Sequence, residues 1–511
     1  MATTIKPNLF TRFLDKIEYL GNKLPDPVMM FVGLCIIIIL ASGALSAIGV
    51  SAYNPVTKET IQVVNLLSLD GFTQILTKAT TNFTNFPALG MVLVVMFGIG
   101  VAEHSGYFKA LMVAAVEKAP FKIIVPILIL VAMLGTIAGD ASQIIMPPIA
   151  AMIFLRLGYH PIAGLVMAYA AALGAFAANV IIGVSDALAL SFTEAGLKTI
   201  GADVPVNIAM NWYFMTASMF ILLAVILFVT YKVIIPRLGT YTSDGQEQDH
   251  FTELTTVEKR GLRYANYTVL ALIVLIILAA IPETSFLRNP TTKGLVDGPL
   301  VQGVAIVMAF MFFVPGLVYA VVTKTAKSSK DIVHMMNESM AGMSGFIVIV
   351  FFSAQMIALF AWSNLGLIIA IKGASLLEGQ SGIVLIIGFI CLTATVNIFI
   401  GSASAKWALL APIFIPMFLF LGYHPAFTQA IYRVGDSITN PITPMLAYLP
   451  LLLSFAKKYD KNMGLGTLIS NLFPYTLGLG IVWTIFVLIW YWTGLPVGPG
   501  GPIHIDPSAL N

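Results

Sequence analysis

Leu157-Gly158-Tyr159-His160-Pro161 returns unchanged as Leu421-Gly422-Tyr423-His424-Pro425, 264 positions further along the chain. The surroundings return too. Pro148 corresponds to Pro412 at the same offset, and the small-residue turns Gly139-Asp140-Ala141-Ser142 and Gly401-Ser402-Ala403-Ser404 correspond at an offset of 262. Each turn joins two short apolar pieces, within 122–156 and 382–421. Each LGYHP copy then runs into an apolar stretch with polar residues near its middle, 161–192 and 426–456. Unbroken helices of that length would reach about 48 Å, against a bilayer core of roughly 30 Å. The two long stretches are therefore read as broken helices, and the two before them as re-entrant hairpins. Packing alone repeats Leu and Gly, but not a shared order of hairpin tip, proline, LGYHP and broken helix. The chain reads as an internal duplication.

Outward from the repeats, the chain is that of a polytopic membrane protein. Of its 511 residues 58% are hydrophobic and 10% charged, against roughly 45–50% and about 25% in soluble domains, and the mean hydropathy is +0.92. An ordinary soluble enzyme is excluded, and a net charge of +3 spread along the chain gives no reason to expect a nucleic-acid partner. Cys35 and Cys391 form neither a disulfide framework nor a metal-binding pair. Simple spans are expected at 27–49, 85–103, 207–235, 266–282, 299–323, 342–361 and 466–493. With the two broken helices this makes nine transmembrane helices plus two re-entrant hairpins, an all-α fold.

The positive-inside rule orients it. With residues 1–26 as a cytoplasmic segment, 19 of the 27 Lys and Arg residues fall on the cytoplasmic side and 6 outside, leaving Lys406 and Arg433 at membrane depth. The first half runs over 27–235, a cytoplasmic linker over 236–265, the second half over 266–493, and an external tail over 494–511. The first hairpin then lies at the cytoplasmic face and the second at the outer face. Such inverted repeats with broken helices are the architecture of many secondary transporters.

Charge inside a membrane costs on the order of 2.5–3.5 kcal/mol on insertion scales, so each polar group there needs a partner or a task. The second broken helix carries Arg433, Asp436, Ser437, Thr439 and Asn440, with Pro441 and Pro444 freeing backbone carbonyls. Arg433 and Asp436 are three apart, so one reading has them neutralise each other. The other has Arg433 grip a substrate carboxylate, with Asp436 accepting a proton or, together with Asn440, binding Na⁺. Trp407, after the second hairpin tip, is either an aromatic substrate face or a lipid-interface anchor. Lys406 either snorkels outward or pairs with an acid. In the first broken helix Asn179 opens the break, and Asp186 has no Arg or Lys in its own segment; it is a candidate proton carrier or a helix cap. Asp140 and Ser142 at the first tip are candidate ion ligands. Glu103-His104 reads as solvated, and His160 and His424 as turn stabilisers.

These motifs resemble the p-aminobenzoyl-glutamate transporter (AbgT) family. The likeness rests on Glu18-Tyr19-Leu20-Gly21-Asn22-Lys23-Leu24-Pro25, Gly401-Ser402-Ala403-Ser404-Ala405-Lys406-Trp407-Ala408, Arg433-Val434-Gly435-Asp436-Ser437 and Gly494-Leu495-Pro496-Val497-Gly498-Pro499-Gly500. It implies a homodimer in the bacterial inner membrane, moving p-aminobenzoyl-glutamate or related aromatic acids, with some members exporting sulfonamides. It implies no cofactor beyond H⁺ or Na⁺ as coupling ion. The family's functional positions fall on Asp186, Ser404, Trp407, Pro425, Arg433, Asp436 and Pro444. The first hairpin tip matches the family pattern less well. Two other classes compete: an intramembrane aspartyl protease using Asp186 and Asp436, and a passive anion channel.

Overall fold

A computed structural model describes residues 27–53, 58–117, 120, 123–138, 141–241, 254–295, 298–443, 446 and 448–505. The N-terminal segment, Asp140 and Pro444 lie outside the described residues. The first half contains α1 (Pro27–Ala47), a two-stranded hairpin of β1 (Ser51–Tyr53) and β2 (Thr60–Gln62), α2 (Leu69–Thr84), α3 (Pro87–His104), α4 (Tyr107–Glu117), α5 (Ile124–Leu134), α6 (Ala141–Arg156), α7 (Pro161–Gly174), α8 (Val184–Lys198) and α9 (Trp212–Val229). The second contains α10 (Thr256–Ala280), α11 (Val304–Thr323), α12 (Ser329–Gly342), α13 (Ser344–Trp362), α14 (Leu365–Leu377), α15 (Gly382–Phe399), α16 (Ala403–Phe420), α17 (Pro425–Ile438), α18 (Tyr448–Ala456) and α19 (Leu465–Thr493).

Among the described residues nine helices are long and apolar enough to cross a membrane. Seven of them overlap the seven simple spans expected from sequence. Both arms of the second hairpin, α15 and α16, qualify by length, whereas each overlong stretch is divided: α7 stops at Gly174 before α8 begins at Val184, and α17 gives way to a 3₁₀ turn over Asn440–Ile442 before α18. α10 begins within the expected linker because Thr255 and Glu258 form a reciprocal capping box there. The amphipathic helix α2 and the helices α4, α12 and α14 lie between expected spans; each is too short or too polar to register in a search for 20-residue apolar runs.

The duplication extends to individual hydrogen bonds. Gly158 and Gly422 sit at φ +78° and +85°, the left-handed region that favours glycine. Tyr159 N donates to Phe154 O at 2.8 Å, and Tyr423 N to Phe418 O at 2.9 Å. Pro161 and Pro425 occupy the first turn of their helices, where no backbone N–H is missed. His160 and His424 cap those helices by accepting from Ile162 N and Ala426 N through Nδ1, as expected of turn stabilisers. The breaks are tied alike. Asn179 Nδ2 donates to Thr136 Oγ1 beyond the end of α5, and Asn397 Nδ2, at the end of α15, donates to Asn440 Oδ1. Both bonds join a helix break to the first arm of its hairpin, and both residue pairs are related by an offset of 261.

The C-terminal segment is not a free tail as far as Ile505. Val497 O accepts from Phe214 N, Ile503 O accepts from His424 N, and Ile505 N donates to Gly422 O. It clasps the start of α9 to the second LGYHP turn.

Candidate functional site

A cavity of about 410 Å³ is lined by α3, α8, α12, α16 and α17, together with Phe176 and Ala177 of the first helix break. Gly435 allows the close crossing of α17 and α15: a Cβ there would meet Ile390 O at 2.7 Å. Arg433 and Asp436 lie in the same helix, but the expected i,i+3 pair does not form. Arg433 Nη1 donates to Asp186 Oδ1 at 2.6 Å and Nη2 to Ala177 O at 3.3 Å. Asp436 Oδ1 instead pairs with Lys406 Nζ at 2.5 Å. Lys406 is completely buried and also donates to Asn397 Oδ1. It pairs with an acid rather than snorkelling. These two cations and two acids thus form two cross-element pairs, α8 to α17 and α16 to α17.

Asp186 therefore has a cationic partner, contrary to the isolated acid expected from its own segment. Its Oδ2 also accepts from Gly183 N at 2.7 Å, capping α8 two residues after that helix starts. The expected cap is present, on a helix beginning at Val184. Sequence reading missed the ion pair because Arg433 lies 247 residues away.

Trp407 is 1% exposed, which removes the lipid-anchor reading. Its ring lines the cavity and stacks on Tyr432 at 4.1 Å between centroids and 23° between planes. Its indole N–H donates to Ala189 O and Thr193 Oγ1, each at 3.0 Å. The chain continues through buried groups: Thr193 Oγ1 donates to Gln429 Oε1, Gln429 Nε2 to Asn211 Oδ1, and Asn211 Nδ2 to Ala426 O. Burial without a hydrogen bond would cost each of these groups. The network thereby fixes the indole plane against the cavity. Tyr432 O–H donates to Ala403 O at 2.9 Å, so the second ring is held as well.

Ser404, Trp407, Arg433 and Asp436 all line the cavity, as does Tyr432, which sequence reading passed over although it immediately precedes Arg433. Pro425 does not; it is buried at the start of α17, where it shapes the helix entrance. Ser437 Oγ donates to Arg433 O, Thr439 Oγ1 to Ala394 O, and Ser142 Oγ to Ala132 O, so each hydroxyl serves the backbone. Asn179 Nδ2 also donates to Met133 O. For Asp436 and Asn440, the expected Na⁺ ligands, Lys406 lies on the carboxylate and Asn397 Nδ2 donates to Asn440 Oδ1 at 2.8 Å. A Na⁺ ion there would meet the Lys406 ammonium. No cluster of three or more His, Cys, Asp or Glu side chains suited to a metal occurs among the described residues. Glu103, His104 and Glu338, all exposed, also line the cavity.

A helical membrane fold with two helix breaks, charged pairs beside them and a cavity lined by aromatic and charged side chains defines a membrane transport protein. The profile of the AbgT transporter family matches residues 12–505. The p-aminobenzoyl-glutamate transport protein of Escherichia coli (strain K12) is 38% identical over 486 residues, covering 95% of each chain. Two solved structures are similar throughout. The YdaH transporter of Alcanivorax borkumensis has a TM-score of 0.88 at 35% identity, covering 93% of this chain and all of its own. MtrF of Neisseria gonorrhoeae, described among antimetabolite efflux pumps, has a TM-score of 0.90 at 40% identity, covering 96% and 100%. The chain belongs to the AbgT family. It is a transport protein and not an enzyme, which disposes of the protease reading; Asp186 and Asp436 are each paired with a cation rather than with each other.

Proposed function

We propose that the protein is a secondary active transporter of p-aminobenzoyl-glutamate or a related aromatic carboxylate, driven by a proton gradient. The observation that carries this reading is that the Arg433 guanidinium and the stacked Trp407–Tyr432 pair line one cavity. A benzoyl ring requires an aromatic face, and a carboxylate requires a planar, always-charged fork. The first turn of α16, which carries Ser404, adds backbone donors for an anion. Asp186, in contact with Arg433, is the proton carrier. The 38% identity to a p-aminobenzoyl-glutamate transport protein supports the substrate class.

In this reading the protein lies in the bacterial inner membrane as a homodimer, with its N-terminus cytoplasmic and its C-terminal segment outside. The hairpins α5–α6 and α15–α16 are re-entrant from opposite faces. Glu103, His104 and Glu338 mark the cytoplasmic mouth, so the cavity is open inward. The clasp of the C-terminal segment on the second LGYHP turn and the start of α9 supports the outer placement of that segment, because all three belong to one side in that topology.

Export of sulfonamide antimetabolites is a second reading, favoured by the 40% identity to MtrF. Counterflow separates a carrier from a channel. Proteoliposomes preloaded with unlabelled p-aminobenzoyl-glutamate are expected to concentrate external labelled substrate transiently, with sulfonamide competing. Simple equilibration without overshoot contradicts alternating access.

A further inference from the structure

The structure assigns to Asp186 a role as an internal stand-in for the substrate's carboxylate: it occupies Arg433, so a carboxylate substrate and a proton load together. This rests on the substrate reading above and adds its coupling sense.

Arg433 is 4% exposed, and both terminal nitrogens are engaged: Nη1 by Asp186 Oδ1 and Nη2 by Ala177 O. An incoming carboxylate cannot take the bidentate geometry that makes such a fork selective while Asp186 holds one prong. Adding a third charge to the pair would leave two acids competing for one buried cation, a costly arrangement away from water. A proton resolves this. It binds Asp186, the ion pair to Arg433 breaks, and the guanidinium passes to the substrate carboxylate. One proton and one anion enter together, and the charge around Arg433 is the same before and after.

Asp186 is built for this exchange. Its two oxygens have separate duties, Oδ1 toward Arg433 and Oδ2 toward Gly183 N. Protonation at Oδ1 removes the ion pair while Oδ2 still caps α8, so the helix start survives the change. Other groups do not duplicate the role. The titratable groups on elements packed against α8 are Tyr432, Arg433 and Asp436 on α17, Lys406 on α16, and Glu103 and His104 on α3; α13 and the 3₁₀ turn over Gly135–Ala138 contribute none. Lys406 and Asp436 already satisfy each other, and Glu194 and Lys198 lie two or more turns further along α8. Asp186 is thus the acid whose proton state decides whether Arg433 is available. A ligand without a carboxylate needs no such release, so a neutral sulfonamide loads on the aromatic face with no proton.

Proton uptake on binding tests this with the purified full-length protein in weakly buffered detergent solution at pH 7.5. Wild type is expected to take up about one proton per p-aminobenzoyl-glutamate bound and none per sulfanilamide, with carboxylate affinity falling about tenfold per pH unit as the pH rises. Asp186→Asn should bind p-aminobenzoyl-glutamate at least about tenfold more tightly at that pH and take up no proton. Binding by wild type without proton uptake, or with release, overturns the inference while leaving the substrate assignment intact; so does weaker binding by a folded Asp186→Asn protein. If that variant does not fold, the wild-type stoichiometry decides alone. If wild type binds no p-aminobenzoyl-glutamate, the substrate assignment fails, and p-aminobenzoate in the same assay tests the exchange by itself. Failure of both carboxylates to bind wild type overturns the two readings together.

Discussion

Lys406 and Asp436 illustrate how much a single buried charge commits the chain. Both side chains are nearly inaccessible, 0% and 4% exposed, and each is the other's counter-ion. Removing one leaves the other unpaired, which costs about 3–5 kcal/mol. Lys406→Met and Asp436→Asn should each lower the melting temperature in detergent sharply, while the double variant recovers most of the loss. Additive losses would mean that the pair is not a unit. Trp407 makes a second case. Its ring stacks on Tyr432 while its N–H donates to Ala189 O and Thr193 Oγ1. Trp407→Phe keeps the aromatic face and loses the donor, so substrate affinity should fall less than in Trp407→Ala, which loses both. Equal losses, measured by calorimetry at matched folding, would assign the tryptophan to structure alone.

Between elements the site depends on close crossings and caps. The α15–α17 crossing leaves no room beside Gly435, where an added methyl would meet backbone rather than a flexible side chain. Gly435→Ala should therefore destabilise by about 1–3 kcal/mol through overpacking, and thermal unfolding reads the change. A neutral effect would show that the two helices part easily. At the start of α12, Asp331 accepts from Lys327 N at 2.7 Å and Ser328 N at 2.8 Å. Those backbone bonds, Lys327 first, hold its carboxyl below the usual value. A depressed acid stabilises above its unfolded-state pKa, and that stabilisation is lost as pH falls through the folded value. Amide exchange at Lys327 and Ser328, corrected for its intrinsic pH dependence, should accelerate on acidification in wild type and already be fast at neutral pH in Asp331→Asn. Unchanged protection would remove the cap.

Across the whole molecule, the legible features were those written in local sequence. The LGYHP turns, the glycines they require and the polar interruption of two overlong helices are all contiguous, and each takes the form its residues imply. The cavity was half legible. Arg433, Trp407 and Asp436 stand out because charge and indole are scarce in an apolar chain, but their partners lie on other elements. Nothing near Asp186 announces Arg433, and the nearer Asp436 is claimed by Lys406 from the hairpin. Tyr432 was hidden by a different cause: a tyrosine in a membrane helix is ordinary until stacking on Trp407 gives it a task. Likewise α2, α4, α12 and α14 escaped because a search for spans has no term for helices that fill gaps between them.

The central claim is that this cavity carries an aromatic carboxylate on Arg433 at the expense of a proton gradient. The most direct measurement is uphill flux of labelled p-aminobenzoyl-glutamate in proteoliposomes with an imposed pH gradient, wild type beside Arg433→Lys at equal reconstitution. Substrate should accumulate on the more alkaline side, moving with protons, and Arg433→Lys should lose at least about tenfold in rate, because an ammonium retains the charge without the fork. Flux indifferent to the gradient, or wild-type transport by Arg433→Lys, would contradict the account.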